Sequence, residues 1–278
     1  MAQGDDWMHA DPSGFPAPTD LRTEVPHPAR VYDFLLGGKD HFAADREAGE
    51  AVMALGEGAR QAVRANRAFL QRAVRTLAGL GIDQFLDIGT GIPTAGNTHQ
   101  IAQAANPDAK VVYVDNDPIV LTHARALMSQ VGQRSTRVLQ ADLRDPDKIL
   151  AAPEVTETID FSRPVGLLLV AVLHFLKDAE NPGEIVSHLV QALPPGSHVV
   201  LSHVTGEALT DDEIAGVGRA YSKVPEGMNL RTREQVAAFL EGLELLEPGL
   251  VLCPQWRPDE EVNPDDRVSI LAAVAAKR

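Results

Sequence analysis

Leu86-Asp87-Ile88-Gly89-Thr90-Gly91-Ile92-Pro93 closes a short apolar run and stands ahead of a helical pattern. An apolar strand ending in Asp-x-Gly-x-Gly reads as the first unit of an open α/β sheet. Ligands of such sheets sit beyond the carboxyl ends of the strands, and glycines there let backbone N–H groups approach closely. A dinucleotide fingerprint, Gly-x-Gly-x-x-Gly, calls for a third glycine three residues after Gly91, where Thr94 stands. Asp87 would also set a carboxylate against a pyrophosphate. An amino-acid-like ligand with an ammonium group is favoured by that acid instead.

Working outward, short apolar runs alternate with helical segments after Gly81. Strands are expected at Phe85 to Ile88, Val111 to Val114, Arg137 to Gln140, Val165 to Val170 and His198 to His203. Asn106-Pro107 ends the first intervening helix, and Pro118 and Pro182 each open one at the N1 position. Thr232 and Gln235 form a capping box ahead of Val236, Phe239 and Leu240, and Gly242 closes that helix. Two further strands, Leu243 to Leu246 and Val268 to Val274, have no helix-length pattern between them, so they pair antiparallel. The fold class is therefore α/β: a mostly parallel, Rossmann-like sheet finished by an antiparallel C-terminal pair.

Ahead of the sheet, residues 1–25 mix Pro, Gly, Asp and isolated apolar residues without a period and read as a loose arm. Residues 26–80 read as a helical extension covering residues 81–278. Val31, Phe34 and Leu35 share a helical face that Gly37-Gly38 terminates, and a second helix runs from Arg46 to Leu55. A third, Arg60 to Leu77, places Val63, Leu70, Val74 and Leu77 on one face and Arg60, Arg64, Arg67 and Arg75 on its neighbour. A solvated face is the plain account of that stripe, and an anionic substrate is the other.

The 278 residues carry 39 acids against 25 bases, a net charge of −14, which opposes association with nucleic acid. A composition of 44% hydrophobic and 23% charged residues is that of a globular chain. Arg outnumbers Lys by 19 to 6, as in GC-rich bacterial genomes. Cys253 is the sole cysteine, Met1 opens no signal-peptide pattern, and no run approaches the roughly 20 apolar residues of a bilayer span. A cytoplasmic protein without a membrane partner is expected.

The second strand ends in Asp115, 24 residues after Gly91, where a carboxylate accepts both hydroxyl protons of a ribose. The third ends in Asp142-Leu143, where the acid accepts from an exocyclic amino group and the next backbone N–H donates to a ring nitrogen. Each acid also has a plainer account: a helix cap for Asp87, a turn before Pro118 for Asp115, a solvated acidic loop for Asp142. Taken together, three acids at three successive strand ends describe an adenosine with an ammonium-bearing tail.

These motifs resemble the cofactor motifs of class I S-adenosylmethionine-dependent methyltransferases. More narrowly, residues 29–42 (ARVYDFLLGGKDHF), 112–118 (VYVDNDP), 248–251 (PGLV) and 256–258 (WRP) resemble a bacterial S-adenosyl methyltransferase family known mainly as a domain of unknown function. The resemblance implies S-adenosylmethionine as cofactor, with Asp87, Gly89, Thr90 and Gly91 at its methionine part. It places Asp115 at the ribose, Asn116, Asp142 and Leu143 at the adenine, and Ala171 and Tyr32 along the same site. Asn116 stands where many relatives carry an apolar residue against the adenine ring. Tyr32 or Arg30 would meet the cofactor carboxylate if the first helix covers the cofactor, with Asn66 and Arg67 as further candidates; Gly37-Gly38 is equally a plain helix stop.

The function implied is in-line methyl transfer to a small or medium acceptor, chosen by the N-terminal helices and a substrate-side insertion at residues 207–231. His174 and His203, near the ends of the fourth and fifth strands, are candidates for a catalytic base and equally for structural histidines. No His, Cys or carboxylate group has metal-ligand spacing. The alternative function is a non-catalytic S-adenosylmethionine-binding regulatory or partner protein.

Overall fold

The computed structural model describes residues 21–278, apart from positions 57, 132–134, 208 and 264–267, so most of the expected N-terminal arm lies outside the described residues. Gln84–Ile88 forms β1, and all five residues are buried, as a central strand covered on both faces requires. It is followed by β2 (Lys110–Asp115), β3 (Thr136–Gln140), β4 (Gly166–Val170), β5 (His198–Val204), β6 (Glu244–Leu245), β7 (Val251–Leu252) and β8 (Ile270–Ala276). The spatial order is β3-β2-β1-β4-β5-β8-β6, with β7 also against β8. Strands β3, β2, β1, β4 and β5 pair in parallel, and β8 runs antiparallel to β5, β6 and β7. The order reverses between β1 and β4, which is where an open α/β sheet leaves a crevice at its carboxyl edge.

Helices cover both faces. They are α1 (Pro28–Leu36), α2 (Ala43–Met53), α3 (Gly58–Gly79), α4 (Thr98–Ala105), α5 (Pro118–Val131), α6 (Pro146–Ala151), α7 (Pro153–Thr156), α8 (Pro182–Ala192), α9 (Asp211–Ala220) and α10 (Arg233–Ala238). The two-residue period of the strands sorts their side chains. Leu86, Ile88, Leu167 and Leu169 point to the face packed by α6, α7, α8 and α10. Phe85, Val111, Leu168 and Val200 point to the other, against Phe69, Leu70, Ala73, Val74 and Leu77 of α3. The packing there is tight enough that a Cβ on Gly166 would lie 2.7 Å from the Phe85 ring. A third cluster joins Val31, Leu35, Val52 and Val63 of α1, α2 and α3 to Ala220 of α9 and to Tyr221 and Val224 just beyond it.

The expected elements are present, with shifted ends. The last strand starts at Ile270 rather than Val268, because its pairing with β5 runs from Val204↔Ile270 to His198↔Ala276 and recruits two alanines of low strand propensity. Strand β7 has no sequence signal, since two residues carry no period. Helix α10 ends at Ala238, and Gly242, at positive φ, turns the chain into β6 instead of closing the helix directly. The Thr232–Gln235 capping box is formed. No helix among the described residues is long and apolar enough to cross a membrane.

The arginine stripe of α3 divides. Arg64 and Arg75 are exposed, Arg75 pairing with Asp259, whereas Arg60 and Arg67 are half-buried. Arg72, outside the stripe, is buried: its Nε donates to Trp256 O (2.9 Å) and its Nη2 to Cys253 O (2.7 Å). These bonds tie the turn between β7 and β8 to α3 across more than half the chain. Arg72→Ala removes two charge-assisted bonds and strands two carbonyls, a loss of about 3 kcal/mol, or roughly 6–12 °C in Tm for a chain of this size. Thermal denaturation checks it, and Arg72→Lys, lacking the fork geometry, is expected to recover only part of the loss.

Candidate functional site

At the carboxyl edge, where the strand order reverses, lies a cleft of about 970 Å³, its open mouth included. Gly89 turns the chain out of β1 at φ 76°, its N–H donating to Val114 O (2.8 Å). A Cβ there would lie 2.4 Å from Val172 Cγ2, so only glycine lets the loop after β1 pass under the segment leaving β4. Gly91, also at positive φ, donates its N–H to Asp115 Oδ2 (2.9 Å), and Thr90 Oγ1 donates to Asp87 O (2.9 Å). The loop thus presents backbone to the cleft and is held from behind by the two strand-end acids.

Asp87 is buried and accepts from Thr98 Oγ1 (2.6 Å) at the start of α4. Desolvation lifts its pKa to about 6, against the Thr98 bond and the Arg67 charge, which act the other way. Asp115, likewise raised chiefly by burial, accepts from Asp117 N (2.9 Å) as well as from Gly91, and each oxygen retains a lone pair. Asp142 is half-exposed. Burial pushes its pKa up, but the bonds from Arg144 N and Asn116 Nδ2, with the Arg144 guanidinium, together hold it below the ordinary value.

All ten residues named from the sequence as cofactor contacts line this one cleft: Tyr32, Asp87, Gly89, Thr90, Gly91, Asp115, Asn116, Asp142, Leu143 and Ala171. Their environments add detail. Ala171 sits at φ 55°, a conformation uncommon for a residue with a Cβ, pinned by its N–H donating to Ser202 Oγ (2.9 Å). Asn116 is held at both ends of its amide, donating to Asp142 and bonded through Oδ1 to His27 Nε2 (3.2 Å). The Tyr32 hydroxyl is already committed, donating to Val63 O (2.9 Å) and accepting from Asn66 Nδ2 (3.0 Å), with burial raising its pKa to about 12. Arg30 is committed too, buried between Asp45 (3.4 Å) and Asp117 (3.3 Å). Gly37 and Gly38 serve the helix end: Gly37 is the left-handed C-cap, and a Cβ on Gly38 would overlap the Asp33 carboxylate.

The two histidines are not brought into the cleft. His203 Nε2 faces Arg231 Nη1 at 2.9 Å and must accept, which leaves its Nδ1–H to donate to Val204 O (2.7 Å). Both ring nitrogens are spent, and burial with the Arg231 charge drops the pKa to about 4. His174 is buried against it, ring centroids 5.3 Å apart, and its pKa falls well below the ordinary value, first through burial. Arg231 also donates to Leu173 O (3.0 Å) and Leu176 O (2.8 Å), so the cluster braces the segment that forms the cleft wall. Its geometry is that of a structural brace rather than a base.

Among the described residues, two that line the cleft carry unmet polar atoms. Arg67 donates through Nη2 to Asn97 Oδ1 (2.9 Å) and Gly96 O (3.3 Å), but its Nε is buried without a partner. Glu226 Oε2 is likewise buried and unpartnered. Arg67 was legible as a polar residue on an amphipathic helix. Glu226 had no signal, because only the fold brings it to the cleft. Among the described residues no group of three or more His, Cys, Asp or Glu could hold a metal ion.

Comparison with known proteins agrees with this geometry. The family model described as S-adenosyl methyltransferase matches residues 15–278. A DUF574 family protein from Streptomyces avermitilis MA-4680 is 44% identical, with 93% of this chain and 100% of that chain covered and a TM-score of 0.88. A candidate methyltransferase from Thermobifida fusca YX is 40% identical over 94% of this chain and 98% of that one, with a TM-score of 0.87. A search of curated proteins finds no match. With the family model spanning the whole sheet and its helical cover, this chain belongs to the S-adenosyl methyltransferase family, whose members are S-adenosylmethionine-dependent enzymes.

Proposed function

We propose that the cleft binds S-adenosylmethionine and aligns it for in-line methyl transfer to a small or medium-sized acceptor. The observation that carries this reading is the convergence of Asp87, Asp115 and Asp142, from three adjacent strands, on a cleft also lined by Arg67, whose Nε is buried without a partner. That donor set fits an ammonium, a ribose, an amino-purine and a carboxylate, in that order. When bound, the cofactor supplies a methyl group on a sulfonium centre, open to a nucleophile.

The chain's own residues then do the positioning. Asp87 faces the ammonium and Arg67 the carboxylate, Asp115 takes the ribose hydroxyls, and Asn116, Asp142 and Leu143 border the adenine. The backbone at Gly89 and Gly91 lets the ligand lie close. Helices α1 to α3 and residues 207–231 serve as the acceptor-side cover. Holding an acceptor in line makes the reaction effectively unimolecular, which is the main contribution such a site makes. The charge of −14 favours a small-molecule acceptor over nucleic acid.

Isothermal titration with S-adenosylhomocysteine is expected to show one site, and Asp115→Ala to weaken it about 30-fold, for roughly 2 kcal/mol of charge-assisted hydrogen bonding. Absence of heat with either form of the cofactor overturns the reading. Arg67→Met is expected to cost S-adenosylhomocysteine about tenfold or more while leaving 5′-deoxy-5′-methylthioadenosine, which has no amino-acid part, within about twofold.

Asp87 gives a pH dependence with a definite sign. Its raised pKa means that the fold favours the neutral carboxyl, so this group's contribution to stability is greatest below its unfolded value and is lost as pH rises toward about 6. Ligand ammonium needs the ionised form. Affinity is therefore expected to fall about tenfold between pH 7 and pH 5 and to level off above pH 7, and Asp87→Asn to flatten that limb.

A further inference from the structure

A second chamber lies on the far side of Tyr32, about 1230 Å³ including its mouth, among α2, α3, α9 and the adjoining ends of β5 and β8. It shares no lining residue with the cleft. The two are separated by a thin partition: Tyr32 lines the cleft and bonds Val63 O, while Val63 lines the chamber. Phe175, on the cleft side, has its ring 6.2 Å from that of Tyr221, on the chamber side.

Protein interiors leave few voids larger than a water molecule. Here α3 contributes the small residues Gly58, Ala59, Ala62 and Val63, with Gln61 beside them, opposite Leu35, Val217 and Met228. Among the described lining residues there is no Lys, Arg or His, which disfavours an anionic ligand. The one carboxylate, Glu213, accepts from Thr210 N (2.7 Å) and Thr210 Oγ1 (3.0 Å) at the start of α9. Two hydroxyls in the lining, those of Tyr221 (7% exposed) and Ser269 (8% exposed), make no hydrogen bond to a described residue, and neither oxygen is sealed from the open space. A hydroxyl that faces such a space is free to bond water or a ligand atom.

We infer that this chamber is a second ligand site, built for an uncharged, largely apolar small molecule whose one polar atom bonds the Tyr221 hydroxyl. Small residues on α3 make the room, and the aromatic partition sets the bound molecule beside the cleft. Binding in the chamber does not depend on what the cleft holds, so the two readings fail separately.

The test uses the full chain and N-phenyl-1-naphthylamine as a fluorescent reporter, displaced by 1-naphthol or by naphthalene. Saturable binding is expected, unaffected by saturating S-adenosylhomocysteine. In the native chain 1-naphthol is expected to displace the reporter about fivefold more effectively than naphthalene, and Tyr221→Phe to make the two equal. Ala62→Phe, which fills the chamber, is expected to weaken the reporter at least about tenfold, with S-adenosylhomocysteine affinity within about twofold of native. Val217→Phe serves the same purpose from the opposite wall should Ala62→Phe fail to fold. No saturable binding, competition with S-adenosylhomocysteine, indifference to both filling substitutions, or equal displacement by the two naphthalenes in the native chain would each overturn the inference.

Discussion

Asn66 and Ser202 meet through a 2.6 Å hydrogen bond in the interior, and the arrangement of the cleft depends on it. Ser202 Oγ donates to Asn66 Oδ1 and accepts from Ala171 N, so the residue leaving β4 at an unfavourable φ is fixed from the neighbouring strand. On its other side Asn66 donates to the Tyr32 hydroxyl, which closes the chain on Val63 O. A cover helix, the helix packed on the sheet and two strand ends are thereby joined by groups that are buried or half-buried. Where the surroundings are dry each bond is strong, and removing one partner leaves the others unsatisfied.

The cleft also depends on how negative charge is stored. Asp45 and Asp117 are both buried, and Arg30 lies between them, joining α1 and α2 to the turn that follows β2. That pairing neutralises acids the site does not need, and leaves Asp87 and Asp115 as the buried carboxylates facing the cleft. Their raised pKa values are the consequence of drying, and a cationic ligand relieves it. Arg67 supplies the opposite sign, and its charge acts on Asp87. The Asn116–Asp142–Arg144 network adds a further polar group to the lining.

Much of this was legible in the chain because the signals are local. The Asp87-x-Gly89-x-Gly91 turn announces itself, since positive φ demands glycine, and Asp115 and Asp142 follow apolar runs that read as strands without ambiguity. Proline placements and the Thr232 capping box marked helix ends for the same reason. The less legible features are those set by partners distant in sequence. Arg72 and Arg67 sit on different faces of one helix; only the packing of the 253–256 turn buries the first, and only the fold leaves the second with an unpartnered Nε. His174 and His203 stand at strand ends where a base is plausible, and it is Arg231, from a segment far downstream, that turns them into a brace.

The sequence by itself determined the sheet, its antiparallel finish and the residues that gather at its carboxyl edge, because period, turn chemistry and strand-end acids act over a few residues. Tertiary structure alone decided which of those polar groups are free. The Tyr32 hydroxyl spends its hydrogen bonds on neighbours and Arg30 is held in an ion pair, whereas Arg67 Nε and Glu226 Oε2 stay without a partner, and Tyr221 is buried beside a space that no other described side chain fills. Such availability depends on every group packed around a side chain, and those groups come from parts of the chain that only folding brings together.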